Sequence, residues 1–341
     1  MNRVPVYLLS GFLGSGKTTL LNALLKHPQF ADTAVVVNEF GEIGFDHLLI
    51  QRSRDNVVLL EAGCLCCTIA DSLHETLADL NFRKVRGEVP AFERVVIETS
   101  GLADPAPILN TLLGNRLVTD HYRLDGVVVT VDAQHAPGQL EAHREVARQV
   151  AVADRVVVTK LDLAAAPPEL MARLAGFNPG AVLMESRGGS AAAEAFAPGE
   201  VHRIREPPAR ESPRQPEDDV SRHDEHIRAH CFVLERPVSW AGIAAWSRLA
   251  AETFGDRLLR CKGLLRIADS GEIVFVQGVQ RVFHAPERLR GWPDADHRSR
   301  LVCITRDVQE AELRLTLRAL DIPAGSDPNI TLAELNQEVQ R

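Results

Sequence analysis

The sequence contains no long hydrophobic segment and no excess of basic residues. No apolar run reaches the roughly 18 residues of a membrane-spanning helix, and the first residues show no signal peptide. We therefore expect a cytoplasmic protein without membrane contact. The 341 residues include 38 Lys and Arg against 46 Asp and Glu, a formal net charge of −8. This acidic balance argues against a general affinity for nucleic acid or anionic lipid.

Cysteines are few and unevenly spaced. Six cysteines in a cytoplasmic chain are not expected to form a disulfide framework. Half of them are isolated in the sequence, which predicts small buried core residues. These isolated cysteines are Cys231, Cys261 and Cys303.

The length favours two domains, and no internal repeat is visible. With 45% hydrophobic and 25% charged residues, the composition is that of a globular protein. In the first half, short apolar runs alternate with helical patterns, which predicts an α/β domain with a mostly parallel sheet. Its predicted strands are residues 4–9, 34–38, 57–60, 94–97, 126–131 and 155–159, and its clearest helices are 19–25, 71–80 and 141–150.

A stretch rich in Gly, Ala, Pro, Glu and Arg, residues 187–219, predicts a linker. After it, the order β-α-β-β-β-α predicts a small α+β domain. Its predicted helices are residues 239–254 and 308–320. We therefore divide the chain into a first domain at 1–190, a linker at 191–225 and a second domain at 226–325.

The first predicted strand leads into GFLGSGKT at residues 11–18, which fits G-x-x-x-x-G-K-[ST]. Glycines let backbone N–H groups turn toward a phosphate, and the start of the next helix adds its dipole. Lys17 is expected to reach the β- and γ-phosphates, and the Thr18 hydroxyl to coordinate Mg²⁺. This P-loop predicts a nucleoside triphosphate site. Its predicted contact residues are Gly11, Gly14, Ser15, Gly16, Lys17, Thr18 and Thr19.

An E-x-x-G sequence closes the fourth predicted strand. Glu98 is expected to support Mg²⁺ or its waters, and the Gly101 N–H to contact the γ-phosphate, as in the switch region of a GTPase. Small GTPases place a Gln after this glycine, and its amide orients the attacking water. Here that residue is Leu102, so we expect slow unaided hydrolysis.

The sequence TKLD at residues 159–162 resembles the N-K-x-D guanine motif. A carboxylate at Asp162 would accept both N–H groups of the guanine edge, which adenine does not offer, and the Lys160 stem would lie over the base. Thr159 replaces the usual Asn and loses its amide. A strand end followed by a solvated turn is the alternative interpretation.

The sequence GCLCC brings Cys64, Cys66 and Cys67 together after the third strand. Thiolates suit Zn²⁺ and other soft or borderline ions, and three of them leave one tetrahedral position open. Glu42 is a candidate oxygen ligand, and His74 lies two helical turns beyond Cys67. A reactive or buried cysteine cluster without metal is the alternative.

A second, weaker metal candidate lies at the end of the linker. His-rich tracts hold metal weakly, but histidines in a solvated linker more often have no specific role. The tract comprises His223, His226 and His230.

These motifs resemble the CobW/YjiA-type P-loop GTPases, a family of metallochaperones. The resemblance extends over nearly the whole chain and is carried by SGFLGSGKTTLLN, VNEFGEIGFD, GCLCC, IETSGLADPAPI, LDGVVVTVDA, TKLD, LLRCKGLLRI and FVQGVQRVFHA. It implies a P-loop GTPase domain with a mostly parallel sheet, followed by a small α+β domain. It also implies GTP, Mg²⁺ and Zn²⁺ as ligands, and zinc transfer from the cysteines to a client metalloprotein after hydrolysis.

Two departures from the family pattern affect accessory metal ligands. A glutamate used for metal in the family is Val37 here, and a metal-binding histidine falls near Gly114 or Asn115. Some members serve cobalt or nickel instead of zinc. A metal store or sensor with nucleotide as a structural ligand is the alternative function, and the sequence leaves a homo-oligomer open.

Overall fold

The computed structural model describes residues 3–38, 58–61, 69–198, 204 and 226–329. Within these ranges, no helix combines the length and the apolar character needed to span a bilayer. Several predicted metal residues lie outside the described residues. They are Glu42, Cys64, Cys66, Cys67 and His223.

The chain forms two compact units. The first comprises Met1–Val201 with Asp219–Asp224, and the second comprises His202–Asp218 with Glu225–Arg341.

The first unit is a parallel sheet with connecting helices. The strands are β1 (Val4–Gly11), β2 (Thr33–Asn38), β3 (Val58–Glu61), β4 (Arg94–Thr99), β5 (Tyr122–Asp132), β6 (Arg155–Thr159) and β7 (Val182–Glu185). The helices are α1 (Lys17–Lys26), α2 (Ile69–Val85), α3 (Ala106–Gly114), α4 (Arg116–Thr119), α5 (Ala136–Ala142), α6 (Arg144–Val152), α7 (Pro168–Phe177) and α8 (Ala192–Ala195). The strand order is β3-β2-β4-β1-β5-β6-β7, and every pairing is parallel.

The central strands are apolar on both faces because helices cover both faces of the sheet. In β1, Val6, Leu8 and Leu9 are fully buried. On one face α1 packs its leucines into the core, and each buried leucine stabilises the fold by about 1.5–3 kcal/mol. The predicted α/β domain is confirmed, and the P-loop connects its middle strand to α1.

Two details of the first unit differ from the sequence expectation. The helix predicted over residues 141–150 is interrupted at His143, which has an extended backbone, and its ring lies 4.6 Å from that of Phe12. Residues assigned to the linker by composition instead form α8, followed by the fully buried Phe196. Alanine-rich sequence looks like linker, yet its small side chains allow α8 to pack closely against α1.

The second unit is an antiparallel sheet with helices. Its strands are β8 (Ile227–Leu234), β9 (Leu258–Arg266), β10 (Ile273–Val279), β11 (Val282–Phe283), β12 (Glu287–Leu289) and β13 (Ser299–Arg306), and its α-helices are α9 (Trp240–Phe254) and α10 (Glu310–Leu317). The order is β11-β10-β9-β13-β8, with β12 paired to β10. This confirms the predicted α+β class.

The core of the second unit forms where α9 covers the sheet. Trp246 is 1% exposed, and Cys261 and Cys303 are buried in the same cluster, as predicted for isolated cysteines. Cys231, for which burial was also predicted, is only partly buried. The Ser239 hydroxyl caps α9 by accepting the Gly242 N–H at 2.9 Å. A turn at Gln280, whose φ is 53°, separates β10 from β11.

Candidate functional site: a phosphate-binding loop and a base-recognition edge

The loop after β1 requires glycine at three positions. Gly11, Gly14 and Gly16 have φ values of 139°, 68° and 93°, which side chains with a Cβ rarely adopt. A Cβ on Gly11 would also lie 2.4 Å from the hydroxyl oxygen of Thr130. The loop therefore adopts a backbone conformation that the glycines of the motif permit.

The loop leads directly into the N-terminus of α1. Gly16 occupies the N-cap position without a side-chain cap hydrogen bond, and the first turn carries no acidic residue. The first N–H groups of a helix have no intrahelical acceptor and attract anions. This helix start therefore suits a phosphate group.

Lys17 lies across the loop and is only 8% exposed. Its ammonium donates to the carbonyl oxygens of Gly11 at 2.9 Å and Phe12 at 3.2 Å. These contacts hold the positive charge beside the curled backbone, where an incoming triphosphate would meet it.

Thr18 and Glu98 meet beside the loop, although 80 residues separate them. The Thr18 hydroxyl donates to Glu98 Oε1 at 3.3 Å, and Glu98 is 5% exposed. Mg²⁺ prefers oxygen ligands such as a carboxylate and a hydroxyl. The donor set therefore fits Mg²⁺ at this position.

Gly101 lies directly against the phosphate-binding loop. A Cβ there would approach the Leu13 nitrogen to 2.6 Å, so only glycine fits without displacing the loop. Leu102, next to it, is 56% exposed.

The buried amide of Gln149 on α6 anchors this segment, and sequence reasoning did not find it. Its Nε2 donates to the carbonyls of Gly101 at 3.1 Å and Ala103 at 3.2 Å. Only the polar character of a residue at an otherwise apolar helix face could have indicated its role.

Thr159, the first residue of the predicted guanine motif, is bonded to the phosphate-binding loop. Its hydroxyl donates to the Ser15 carbonyl at 2.6 Å and lies 3.2 Å from the Val131 carbonyl. The loss of an amide noted in the sequence therefore leaves a hydroxyl that holds the loop.

Lys160 has a left-handed backbone, with φ at 61°. Its ammonium lies 2.6 Å from Asp132 Oδ2. This ion pair fixes the direction of the lysine stem beside the predicted base site.

Asp132, at the end of β5, is a second residue that the sequence interpretation missed. It is 2% exposed and also contacts His135 Nδ1 at 2.8 Å and the Gln134 N–H at 2.9 Å. Burial alone would raise the pKa of Asp132, but hydrogen bonds from Lys160, His135 and the Gln134 backbone hold that pKa below its usual value. The carboxylate is therefore ionised and positions Lys160.

Asp162 is exposed beside the loop that follows β7. Its Oδ1 accepts the Gly188 N–H at 3.3 Å. The neighbouring Gly189 has φ of 86°, and a Cβ there would lie 2.6 Å from Ala23 on α1. This loop lies where a base bound at Asp162 would meet it, although the composition assigned it to the linker.

The described residues bring together no group of three or more His, Cys, Asp or Glu that could hold a metal. His74 is half-buried on α2. In the histidine tract, His226 Nδ1 lies 2.5 Å from Asp307 Oδ1. The His230 ring stacks against the ring of Phe232. Asn115 caps α4 by accepting the Leu117 N–H at 2.9 Å.

The fold and the loop define a P-loop α/β protein with a C-terminal α+β unit. The family "CobW/HypB/UreG, nucleotide-binding domain" matches residues 5–184, and the "Cobalamin synthesis protein cobW C-terminal domain" matches residues 227–321. The chain belongs to the CobW family, which confirms the resemblance drawn from its motifs.

Curated relatives and solved structures agree with this assignment. The zinc chaperone YjiA of Escherichia coli is 33% identical over 94% of this chain and 99% of its own length. The zinc chaperone CobW of a Sinorhizobium species is 26% identical over 93% of this chain and 97% of its own length. A crystal structure of Zn(II)-bound YjiA GTPase from E. coli matches with a TM-score of 0.66 and 28% identity, covering 94% of this chain and 99% of that one.

Proposed function

We propose that the protein is a GTPase that binds zinc and transfers it to a client metalloprotein after hydrolysis. The observation that supports this most directly is the Thr18–Glu98 pair beside the P-loop, 3.3 Å apart. It supplies the oxygen ligands that a Mg²⁺-nucleotide needs. Relatives named as zinc chaperones, matching over most of the chain, support the metal part of the proposal.

In this proposal the loop residues bind the phosphates. The N–H groups from Gly14 to Thr19 surround the β-phosphate, while Lys17 neutralises the β- and γ-phosphates. Thr18 would coordinate Mg²⁺, and Glu98 would hold the ion or one of its waters. When bound, the ion would supply positive charge that offsets the charge developing on the phosphates. The Gly101 N–H contacts the γ-phosphate.

Hydrolysis without a partner is slow in this account. Leu102 neither accepts nor donates a hydrogen bond, so it does not orient an attacking water as Gln does in small GTPases. The nearby Gln149 amide is directed at the carbonyls of Gly101 and Ala103. Its contacts position the segment and leave its NH₂ group engaged.

Guanine is the base that suits the TKLD segment at residues 159–162. Asp162 accepts N–H groups from guanine, and Lys160 lies over the base plane, held by Asp132. Thr159 connects this edge to the loop through Ser15. Adenine offers no matching pair of donors to the carboxylate.

Zinc binds, in this proposal, to the thiolates of Cys64, Cys66 and Cys67, with Glu42 and His74 as further candidate ligands. Nucleotide and metal both lie in residues 1–190, and the second domain at 226–325 completes the family architecture. Thiolates are suitable donors for Zn²⁺, and cobalt or nickel remains the alternative cargo. The acceptor is a client metalloprotein.

GTP turnover with and without Zn²⁺ tests this function against a metal store. A GTPase coupled to metal delivery hydrolyses GTP slowly, at a rate that zinc changes. Lys17→Ala should abolish turnover while a thermal melt shows that the variant is still folded, whereas Lys26→Ala, at the far end of α1, should behave as wild type. Zinc binding without any GTP turnover would contradict the GTPase function and favour the alternative, a metal store.

A further inference from the structure

Helix α6 carries a glutamine on a buried face that is otherwise apolar. Gln149 is 0% exposed, and the other buried residues of α6 are valines and alanines. A buried polar side chain costs free energy unless its polar atoms are hydrogen-bonded. The hydrogen-bond partners of the Gln149 amide therefore indicate what this residue does.

The Gln149 amide is bonded to a turn that follows β4. The Ala103 N–H donates to the Ser100 carbonyl at 3.1 Å, which defines a turn with Gly101 and Leu102 at its centre. Gln149 Nε2 donates to the carbonyls of Gly101 and Ala103. Both partners are acceptors, so only the NH₂ end of the amide can face them. The glutamine thus fixes the direction of two peptide groups in this turn.

A carbonyl that is held in one direction also fixes the N–H group of the next residue. The peptide between Gly101 and Leu102 is trans, and in a trans peptide the C=O and the N–H point in opposite directions. Because the Gly101 C=O faces Gln149 on α6, the Leu102 N–H faces away from α6. Within the part of the chain that the structure describes, neither the Gly101 N–H nor the Leu102 N–H has a protein acceptor. Both are available to a ligand.

The turn lies directly against the phosphate-binding loop. A Cβ on Gly101 would approach the Leu13 nitrogen to 2.6 Å, so the two backbones are in contact. Helix α6 packs against β1, the strand that leads into the loop, and the His143 ring at the start of α6 lies against the Phe12 ring of the loop. One helix therefore contacts both the turn and the loop.

A second side chain of α6 contacts the residue that follows the turn. Arg148 Nη1 lies 3.2 Å from Asp104 Oδ2, and the other oxygen of Asp104 accepts the Ala106 N–H at the start of α3. Both charged side chains are partly exposed, so solvent weakens their interaction. We therefore expect the buried amide of Gln149 to be the main contact that holds the turn.

We propose that Gln149 is a positioning residue for recognition of the γ-phosphate of GTP. It holds the turn so that the N–H groups of Gly101 and Leu102 both donate to the γ-phosphate, and the site then prefers a triphosphate to a diphosphate. The Leu102 backbone thus supplies a hydrogen bond, although its side chain offers none. Hydrogen bonds from N–H groups to a phosphate are charge-assisted and stronger than neutral ones. This role rests on the proposed GTPase function and adds what distinguishes GTP from GDP.

Displacement of a fluorescent guanine nucleotide tests this role in the full-length protein with Mg²⁺. The quantity measured is the ratio of affinities for a non-hydrolysable GTP analogue and for GDP. Gln149→Met keeps a side chain of similar size but removes the donors. It should weaken binding of the analogue about tenfold or more and leave the GDP affinity unchanged. Gln139→Met, the same substitution at a half-buried position on α5, should change neither affinity.

A second variant provides a readout that loss of packing alone would not give. Gln149→Glu has the size of glutamine, but its carboxylate has no donor at about pH 7.5, so it should also lose the preference for the analogue. Burial raises the pKa of a carboxyl group, and a protonated carboxyl donates one hydrogen bond. The affinity ratio of Gln149→Glu, relative to wild type at the same pH, should therefore recover in part at about pH 5.5. Unfolding midpoints verify that each variant is folded.

Wild-type GTP turnover is measured beside the variants. Wild-type protein that neither binds nor hydrolyses GTP would contradict the proposed function and this role with it. If wild type hydrolyses GTP and a folded Gln149→Met variant keeps the wild-type affinity ratio and kcat, only the role of Gln149 is overturned. Equal losses of analogue and GDP affinity would also overturn it, because they would show a purely structural contribution.

Discussion

The hydroxyl of Thr159 donates a 2.6 Å hydrogen bond to the carbonyl of Ser15, 144 residues earlier in the chain. Thr159 is 6% exposed and Ser15 is 1% exposed. The end of β6 and the phosphate-binding loop are thus joined by a buried contact. A base held after β6 and phosphates held by the loop would share one rigid frame.

Removing this hydroxyl should affect both stability and nucleotide affinity. Thr159→Val keeps the shape but leaves the Ser15 carbonyl without its donor, which costs about 1–3 kcal/mol. We expect a lower free energy of unfolding in urea and a GTP affinity reduced about tenfold. Thr159→Ser, which keeps the hydroxyl, is the matched control. A valine variant equal to wild type in both measurements would show that the contact does not hold the loop.

Base selection should depend on the carboxylate of Asp162. A carboxylate that loses its donors when adenine replaces guanine makes ATP binding weaker by about 1–3 kcal/mol or more. Asp162→Asn should shift the preference from GTP toward xanthosine triphosphate, measured by competition against a fluorescent nucleotide. If wild type bound GTP and ATP equally, the guanine assignment would be wrong.

The depressed pKa of Asp132 predicts a pH-dependent contribution to stability. A folded-state pKa below the ordinary value of 3.8 means that the ionised carboxylate stabilises the fold. This contribution is present above about pH 4 and disappears as pH falls through the folded-state pKa. Asp132→Asn should therefore lose about 1.5–3 kcal/mol near pH 7, and the difference from wild type should shrink below pH 4.

Urea unfolding from pH 7 to pH 3 measures this effect. Asp120→Asn, an exposed carboxylate in the same unit, should show no such trend. An Asp132→Asn deficit that stays constant over this range would argue against the ionised interaction with Lys160.

Much of the nucleotide site could be predicted from local sequence. The glycines, Lys17 and Thr18 belong to a single motif, and the positive φ angles of Gly11, Gly14 and Gly16 agree with it. Gln149 and Asp132 could not be found in this way. Their roles arise from contacts with Gly101 and Lys160, which only the packing of the sheet and helices brings close.

The ends of strands and helices were harder to predict, because polar residues there interrupt the apolar pattern. β5 begins at Tyr122, four residues before the predicted start, since Asp125 is a bulge residue paired with tyrosine and arginine side chains. At the break, the His143 ring likewise contacts a distant ring, that of Phe12. Neither partner is visible within a local window of sequence.

Zinc should depend on the cysteine cluster and not on the histidine tract. Cys66→Ser or Cys67→Ser should weaken zinc binding by orders of magnitude, because thiolate ligands dominate such sites. Replacing His223, His226 and His230 together with Ala should leave zinc affinity near that of wild type. A Co²⁺-substituted protein without thiolate-to-metal charge-transfer absorption would contradict this ligand set.

The central claim is that the bound nucleotide changes the affinity of the protein for zinc. Glu42 and the cysteines follow β2 and β3, and the carboxyl ends of parallel strands share the sheet edge that carries the P-loop. If GTP changes the affinity for zinc, linkage requires zinc to change the affinity for GTP by the same factor, usually about 5–150-fold.

The most direct measurement is a zinc competition titration in Mg²⁺-GDP and in Mg²⁺ with a non-hydrolysable GTP analogue. We predict tighter zinc binding in the GTP-like state, within that range of factors. Identical zinc affinities in the two nucleotide states would contradict the coupling and leave two independent sites on one chain.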